Sequence, residues 1–195
     1  MNIPSLNDAP VRLAVIVGST REGRFGPTVA NWFVEHAERR GDLAIDVVDL
    51  ADFDIPSQFG PAGSAAMAPF RARIGLADAF AVVTPEYNHG YPAVLKQAID
   101  FVGTEWHAKP VGFVSYGGIS GGLRAVEQLR QVFAEMHAVT IRDGVSLHYG
   151  WNLFDEAGAM HEPENPLVAV KVMLDELTWF ARALRTARAD HPYGS

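Results

Sequence analysis

Short runs of consecutive apolar residues alternate with segments of helical periodicity along the chain, and this alternation constrains the fold more than any other feature. Runs at 13–17 (LAVIV), 79–84 (AFAVVT) and 111–115 (VGFVS) predict strands that are buried on both faces. Segment 45–50 alternates apolar with polar residues and predicts a strand nearer the sheet edge, while 139–141 begins a fifth strand. Such strands, separated by helices, predict a doubly wound α/β fold with a parallel sheet covered on both faces.

Five helical segments accompany the predicted strands. The first begins near Pro27, the second spans 66–76 and the third spans 92–102. The fourth begins at Gly121, and the fifth follows Pro163 and Pro166. The residues that share an apolar face on these helices are Val29, Trp32, Phe33 and Ala37, then Leu123, Val126, Leu129, Phe133 and Met136, and finally Val170, Met173, Leu174, Leu177, Phe180 and Leu184. No change of composition marks a linker, so we expect a single domain over residues 1–195 with its core at about 11–189.

Composition narrows the class of protein. The 195 residues are 48% hydrophobic and 20% charged, which is typical of a globular domain. The N-terminus shows no secretion signal, and no apolar run approaches the length of a membrane span, so we expect a soluble cytoplasmic protein. Cysteine is absent, which excludes disulfides and thiolate sites. The net charge of −7, without a lysine cluster, disfavours nucleic acid as a partner.

The loop at 18–27 (GSTREGRFGP) follows the first buried strand and opens a helix, so its N–H groups and the helix dipole favour an anion. Ser19, Thr20 and Arg21 add hydrogen-bond donors, and Arg21 and Arg24 make the loop basic in an acidic chain. Arg24-Phe25 stands where a triphosphate-binding loop needs Lys and then Ser or Thr, and the dinucleotide glycine signature is missing. A single terminal phosphate fits best; the alternative is a surface loop with two solvated arginines.

A second loop, TPEYNHGYPAVLKQAIDF, starts at Thr84 directly after a buried strand. Its Pro, aromatic, amide and Gly residues predict a stiff turn that faces a planar ligand, with Asn88 at a ring edge and Tyr87 or His89 near its face. The alternative is a plain strand-to-helix turn with core aromatics. His89 is an acid/base candidate, although packing is the simpler role. Glu86 has no nearby catalytic partner in the sequence and is expected to line the site.

A third loop, SYGGISGG at 115–122, places four glycines before a helix. Consecutive N–H groups at a helix N-terminus suit a carbonyl or a developing negative charge. The alternative is a flexible turn that lets strand and helix pack closely.

Histidines show no spacing for a shared metal, so no metal site is predicted. There is also no hydrolase-type serine elbow followed by an ordered acid and His.

The motifs GSTREGRFG, PEYNHGYPAVLKQAID and KPVGFVSYGGISGGLRAVEQLR together resemble the NADPH-dependent FMN reductases, over residues 11–145. This resemblance implies a flavodoxin-like three-layer sandwich, a five-stranded parallel sheet of order 2-1-3-4-5 with helices on both faces. Carried over by matching position, the residues around the FMN phosphate are Ser19, Arg21, Arg24, Phe25 and Gly26. Those that line the flavin ring and ribityl chain are Pro85, Glu86, Tyr87 and Asn88. Those that approach the pyrimidine edge are Ser115, Tyr116, Gly117 and Gly118.

The resemblance also implies an activity: hydride passes from NADPH or NADH to bound FMN and on to a flavin, quinone, azo or metal-oxyanion acceptor, with no catalytic side chain. Backbone N–H groups of Gly117 and Gly118 would stabilise the charge that gathers on the flavin. It further implies a homodimer or homotetramer, with Trp106 and Trp151 as subunit contacts or as packing aromatics. The alternatives are a flavodoxin-like electron carrier without NAD(P)H turnover, and a regulatory module that senses a nucleotide.

Overall fold

A parallel sheet forms the centre of the computed structural model, which describes residues 9–194 apart from the side chain of Ala62. The strands are β1 (Val11–Val17), β2 (Leu43–Asp49), β3 (Ala79–Pro85), β4 (Pro110–Gly117), β5 (Val139–Thr140) and β6 (Val145–His148). Their order is β2-β1-β3-β4-β5, with β6 also paired to β4, and every pairing is parallel. This is the predicted order. The N-terminal segment for which no secretion signal was predicted, residues 1–8, lies outside the described residues.

Helices cover both faces of the sheet, as predicted. They are α1 (Gly26–Glu38), α2 (Pro61–Ala66), α3 (Ala68–Leu76), α4 (Ala93–Asp100), α5 (Leu123–Glu135) and α6 (Glu164–Asp190). One apolar core packs α1 and α6 against the sheet through Phe33 and Met173. A second core packs α3, α4 and α5 against the other face through residues such as Phe70, Leu95 and Phe133. The layers are therefore helix, sheet and helix.

The predicted helix at 66–76 is α3, which begins two residues later, and a separate helix, α2, which was not predicted, precedes it and meets it at the buried Met67. Pro69 explains the break, because a proline fits the first turn of a new helix and donates no N–H to a preceding turn. Leu123 is also a correction: it is 49% exposed, because it is the first residue of α5 and precedes the part of the helix that packs on the core. Met136, Phe180 and Leu184 are only partly buried.

The fifth strand begins at 139, as predicted, but it is interrupted after two residues and resumes as β6. The N–H groups of Arg142 and Asp143 donate to the carboxylate of Glu176 on α6, at 3.2 and 2.8 Å. The Glu176 carboxylate therefore accepts the backbone hydrogen bonds that a neighbouring strand would accept if β5 continued into β6 without a break.

Trp106 is fully buried between the rings of Phe80 and Phe133, and its indole N–H donates to the Ile99 carbonyl at 3.2 Å. Trp106 is therefore a packing residue of the core, and the expectation that it forms a subunit contact is wrong. Among residues 9–194, no helix is both long enough and apolar enough to cross a membrane.

Candidate functional site

The three predicted loops meet beyond the carboxyl ends of β1, β3 and β4, where they surround a cavity of about 300 Å³. Its lining comprises Arg21, Glu22, Gly23, Arg24, Phe25, Pro85, Glu86, Tyr87, Tyr116, Gly117, Gly118 and Trp151. Ligands of open α/β sheets bind at this edge of the sheet, so the position agrees with the expectation. Four predicted site residues do not line the cavity: Ser19, Gly26, Asn88 and Ser115.

The first loop begins at Gly18, where the backbone is closely packed against β3 and α4. The Gly18 N–H donates to the Val83 carbonyl at 2.8 Å, and a Cβ on Gly18 would lie 3.0 Å from Leu95. The loop then leads into α1, whose N-terminus has no side-chain cap and carries Pro27 in its first turn. The first N–H groups of a helix have no partner within the helix, so this end of α1 is available to an anion.

Two buried hydroxyl groups lie beside that helix end without a hydrogen-bond partner among the described residues, those of Ser19 and Tyr116. A Cβ on Gly26 would lie 3.0 Å from the Ser19 Oγ and 3.1 Å from the Tyr116 oxygen, so glycine leaves this space open. Burial raises the pKa of Tyr116 to about 12, and the weaker opposing effect comes from the adjacent Ser19 hydroxyl, which lies near the phenol without the geometry of a full hydrogen bond. The phenol therefore keeps its proton at neutral pH. Unpaired buried hydroxyls are costly. Neither hydroxyl is exposed in this structure, so a phosphate oxygen at the start of α1 would satisfy both once their side chains turn toward the cavity.

Arg21 is the cation of this loop that remains available. Its guanidinium carbon lies 5.0 Å from the centre of the Tyr87 ring, which joins the first loop to the second. The side chain is exposed and forms no ion pair with any of residues 9–194. A charge-assisted contact with a phosphate is therefore open to it.

Arg24 has a different environment from the one expected. Its guanidinium donates to both Asp49 oxygens, at 2.5 and 2.7 Å, and to the Ser19 carbonyl at 2.6 Å. The hydrogen bond to Asp49 raises the pKa of Arg24 against the opposing effect of burial. Arg24 thus fastens the loop to the end of β2, and its contact with a phosphate stays a prediction. Asp49 was not among the predicted site residues, although an acidic residue at the carboxyl end of a strand beside a basic loop is the signal that could have identified it.

The second loop is the stiff turn that was predicted. Tyr87 and Gly90 exchange backbone hydrogen bonds of 2.8 and 3.1 Å around Asn88 (φ 49°) and His89 (φ 76°). Two successive positive φ values are those of a type I′ turn, which asparagine tolerates better than most residues. Both tip residues are exposed, and the His89 carbonyl accepts a hydrogen bond from Gln128 at 2.9 Å. His89 is not among the residues that line the cavity.

Glu86 does more than line the site. Its side chain is 7% exposed and accepts hydrogen bonds from the Ser120 hydroxyl (2.7 Å) and from the Arg124 guanidinium (2.9 Å) and backbone N–H (3.2 Å). Burial would raise the pKa of this carboxyl, but the hydrogen bonds from Ser120 and Arg124 outweigh burial and lower it. The carboxylate therefore caps α5 and joins the second loop to the third.

This cap limits which N–H groups of the third loop can meet a ligand. The N–H of Arg124, at the start of α5, is taken by Glu86 and is not available to a ligand. The Ser115 hydroxyl donates to the Gly121 carbonyl at 2.8 Å, so it braces the loop. Gly122 has φ 87°, and a Cβ there would lie 2.7 Å from that of Ser115, which supports close packing at this glycine. Gly117 and Gly118 do line the cavity.

Two further features complete the site. Trp151, which was expected to be a subunit contact or a packing residue, lines the cavity and is 54% exposed. Within residues 9–194, no group of three or more His, Asp or Glu side chains is placed to hold a metal ion.

Comparisons with known proteins agree with this geometry. Residues 11–152 match a family model described as NADPH-dependent FMN reductase. An NAD(P)H-dependent FMN reductase of Schizosaccharomyces pombe is 38% identical over 131 residues, which cover 62% of this chain and 64% of that protein. A quinone reductase of Pseudomonas putida is 32% identical over 170 residues, which cover 80% of this chain and 88% of that protein. The solved structure of FerB, a flavoenzyme NAD(P)H:(acceptor) oxidoreductase of Paracoccus denitrificans, has a TM-score of 0.71 at 21% identity, covering 87% of this chain and 97% of that one.

The match to the Schizosaccharomyces pombe protein thus spans less than two thirds of that protein's length. The likeness to FerB confirms the flavodoxin-like fold. The family match and the two sequence relatives confirm, at the level of the family, the predictions of FMN as cofactor and NAD(P)H as co-substrate.

The role of Glu86 as a charged cap can be tested by Glu86→Gln, which keeps the shape of the side chain and removes its charge. We expect the free energy of unfolding at pH 7 to fall by about 1–2 kcal/mol, because hydrogen bonds to a charged group are lost. The loss is not larger because Arg124 is partly exposed and water screens its charge. The folded-state pKa of Glu86 lies below its ordinary value of 4.5, so its stabilisation is complete above that pH and is lost as the pH falls through the folded-state pKa.

Urea unfolding at pH 7, 5, 4 and 3 measures this difference, because the loss is expected below pH 4.5. The gap between wild type and variant should shrink toward acid pH. The control is Glu35→Gln, since Glu35 is 64% exposed in a surface pair with Arg39; it should change stability by less than about 0.5 kcal/mol. A gap that stays constant with pH, or no loss of stability at pH 7, would contradict the role of Glu86.

Proposed function

The chain belongs to the family of NADPH-dependent FMN reductases, and we propose that it is an FMN-dependent oxidoreductase that moves a hydride from NAD(P)H to a small electron acceptor. The observation that carries this proposal is the pair of unpaired buried hydroxyls, Ser19 and Tyr116, beside the uncapped start of α1. Together with the available cation of Arg21, they form a site for one terminal phosphate, which is the anionic group of FMN.

In this proposal the first loop holds the phosphate. The Ser19 and Tyr116 hydroxyls donate hydrogen bonds to it, which places Tyr116 at the phosphate and not at the pyrimidine edge where the resemblance put it. Arg21 supplies the positive charge, and Gly26 and Phe25 form the adjoining surface at the start of α1. Arg24 contributes by holding the loop to Asp49, and we retain its proximity to the phosphate as a prediction.

The other two loops receive the rest of the cofactor. Pro85, Tyr87 and Asn88 face the ring and the ribityl chain, and Gly117 and Gly118 approach the pyrimidine edge. Glu86 and Ser115 act mainly through the loops that they brace. Bound flavin supplies a ring that accepts and donates hydride equivalents. The protein's contribution is to orient that ring and to leave one side of the cavity open for the substrates.

The overall reaction balances as NAD(P)H plus a proton plus a quinone giving NAD(P)⁺ plus a hydroquinone. A flavin, an azo compound or a metal oxyanion would take the same electrons. The quinone reductase among the relatives supports a quinone as one acceptor. Because both substrates would use the same open side of the cavity, we expect ping-pong kinetics.

A homodimer or homotetramer in the cytoplasm completes the proposal. The flavin would lie near a subunit boundary, but Trp106 takes no part in it because that side chain is fully buried. A fully active protein that sediments as a monomer would contradict this part.

The function is tested by loading the wild-type protein with FMN and adding NADPH, and separately NADH, without oxygen. We expect rapid loss of the visible absorbance of the flavin, followed by its return when a quinone is added. Yellow protein that stays oxidised with both nucleotides would identify an electron carrier. Failure to retain FMN at micromolar concentration would contradict the whole proposal.

The phosphate site is tested by Arg21→Ala. We expect FMN to bind more weakly by about 1.5–3 kcal/mol, or roughly 10- to 150-fold in Kd, because one charge-assisted contact is lost. Riboflavin lacks the phosphate, so its Kd should be the same in variant and wild type. Isothermal titration of both ligands measures this.

The matched control for that variant is Arg39→Ala, since Arg39 follows the far end of α1 and is 63% exposed. Its affinity for FMN should equal that of the wild type. If Arg21→Ala leaves FMN binding unchanged, or weakens riboflavin by the same factor, Arg21 does not bind the phosphate.

A further inference from the structure

We propose that Trp151 forms an aromatic wall of the subsite that receives the electron acceptor, and that it selects planar ring systems by stacking. This inference rests on the proposed function, because it assumes that the cavity holds FMN and admits a second molecule. It concerns a residue beyond β6, in a segment that carries none of the three cofactor motifs.

The backbone of Trp151 is held firmly. It lies in a short 3₁₀ turn, Gly150–Asn152, closed by hydrogen bonds from the Asn152 N–H to the Tyr149 carbonyl (2.8 Å) and from the Leu153 N–H to the Gly150 carbonyl (3.1 Å). The Tyr149 N–H donates to the Gly118 carbonyl at 3.1 Å, which fixes the turn to the third loop.

Two local features show that the turn is tightly constrained. A Cβ on Gly150 would lie 3.2 Å from the Cβ of Tyr116, so the turn packs directly on a strand that supports the site. Tyr149 has φ 49°, a left-handed conformation that a tyrosine rarely adopts. Strained backbone of this kind persists where the surroundings over-determine it, often at functional sites.

The indole side chain projects from this fixed backbone and is largely exposed. Trp151 is 54% exposed and lines the cavity, and its Cη2 lies 3.8 Å from the position of a Cβ on Gly118. The Tyr149 ring meets the indole edge-to-face, with centroids 6.3 Å apart. An exposed indole at a cavity rim offers its face to another planar ring.

The position of Trp151 favours the acceptor over the cofactor phosphate or the core. The turn packs on the backbone side of Tyr116, but the indole itself adjoins Gly118, which the proposed function places at the pyrimidine edge of the flavin. The core beneath the turn is supplied by other side chains, including the buried Phe154, so packing does not require an indole at 151. A planar quinone that enters past Gly118 would meet this side chain.

The experiment compares Trp151→Ala and Trp151→Phe with the wild type, all loaded with FMN. The control is Trp179→Ala, because Trp179 is also exposed (65%) but lies on α6 and does not line the cavity. The first measurement is the Kd of a naphthoquinone for the oxidised holoprotein, from quenching of flavin fluorescence, which needs no turnover. The second is kcat/KM for the naphthoquinone and for ferricyanide, an acceptor without an aromatic ring.

We expect Trp151→Ala to weaken naphthoquinone binding about 5- to 10-fold and to lower its kcat/KM through KM by a similar factor. Trp151→Phe should retain most of the affinity, and ferricyanide should be unaffected. Trp179→Ala should match the wild type in every assay.

Three results would overturn the proposal. The first is unchanged naphthoquinone binding in Trp151→Ala. The second is a comparable loss of FMN affinity in that variant, which would make Trp151 a cofactor residue. The third is a change in its sedimentation state, which would make Trp151 a subunit contact. Failure of the proposed function is distinguishable, because NADPH would then leave the flavin oxidised while naphthoquinone binding still depended on Trp151.

Discussion

The ion pair between Arg24 and Asp49 is the contact on which the arrangement of the site depends. Both side chains are less than one-fifth exposed, at 17% and 19%, so their attraction is screened less than that of a surface pair. Arg24 also binds the Ser19 carbonyl, so the pair fixes the backbone of the first loop as well as its side chain. With Arg24 committed to Asp49, Arg21 is the arginine of the loop that is free to bind a ligand.

A second charged contact holds the other two loops in place, as the Arg24–Asp49 pair holds the first. Glu86 joins the second loop to Ser120 and to the start of α5, and its ionised form is the one that these partners stabilise. The glycines of the third loop can then pack against Ser115, while Gly117 and Gly118 stay at the cavity. Binding surfaces held in place before the ligand arrives lose little free energy in ordering on binding.

Much of the fold, and the meeting of the three loops at one edge of the sheet, follow from local sequence patterns. Buried apolar runs identified β1, β3 and β4, and the alternation at 45–50 correctly indicated an edge strand. Residues that depend on a distant partner were harder to interpret. No local pattern reveals that Arg24 will meet Asp49 or that Glu86 will meet Arg124, because each pair is created by the packing of separate βα units. The Ser115 hydroxyl donates to the Gly121 carbonyl within its own loop, a contact that the residue pattern does not reveal, and the approach of Ser115 to the flavin stays a prediction.

The central claim is that the start of α1, with Ser19, Arg21 and Tyr116, holds the phosphate of FMN. A crystal structure of the protein with FMN bound tests it most directly. The account predicts a phosphate within hydrogen-bond distance of the Ser19 and Tyr116 hydroxyls and the Arg21 guanidinium, while Arg24 remains paired with Asp49. A phosphate that lies in solvent or against other residues, with those two hydroxyls still unpaired, would contradict it.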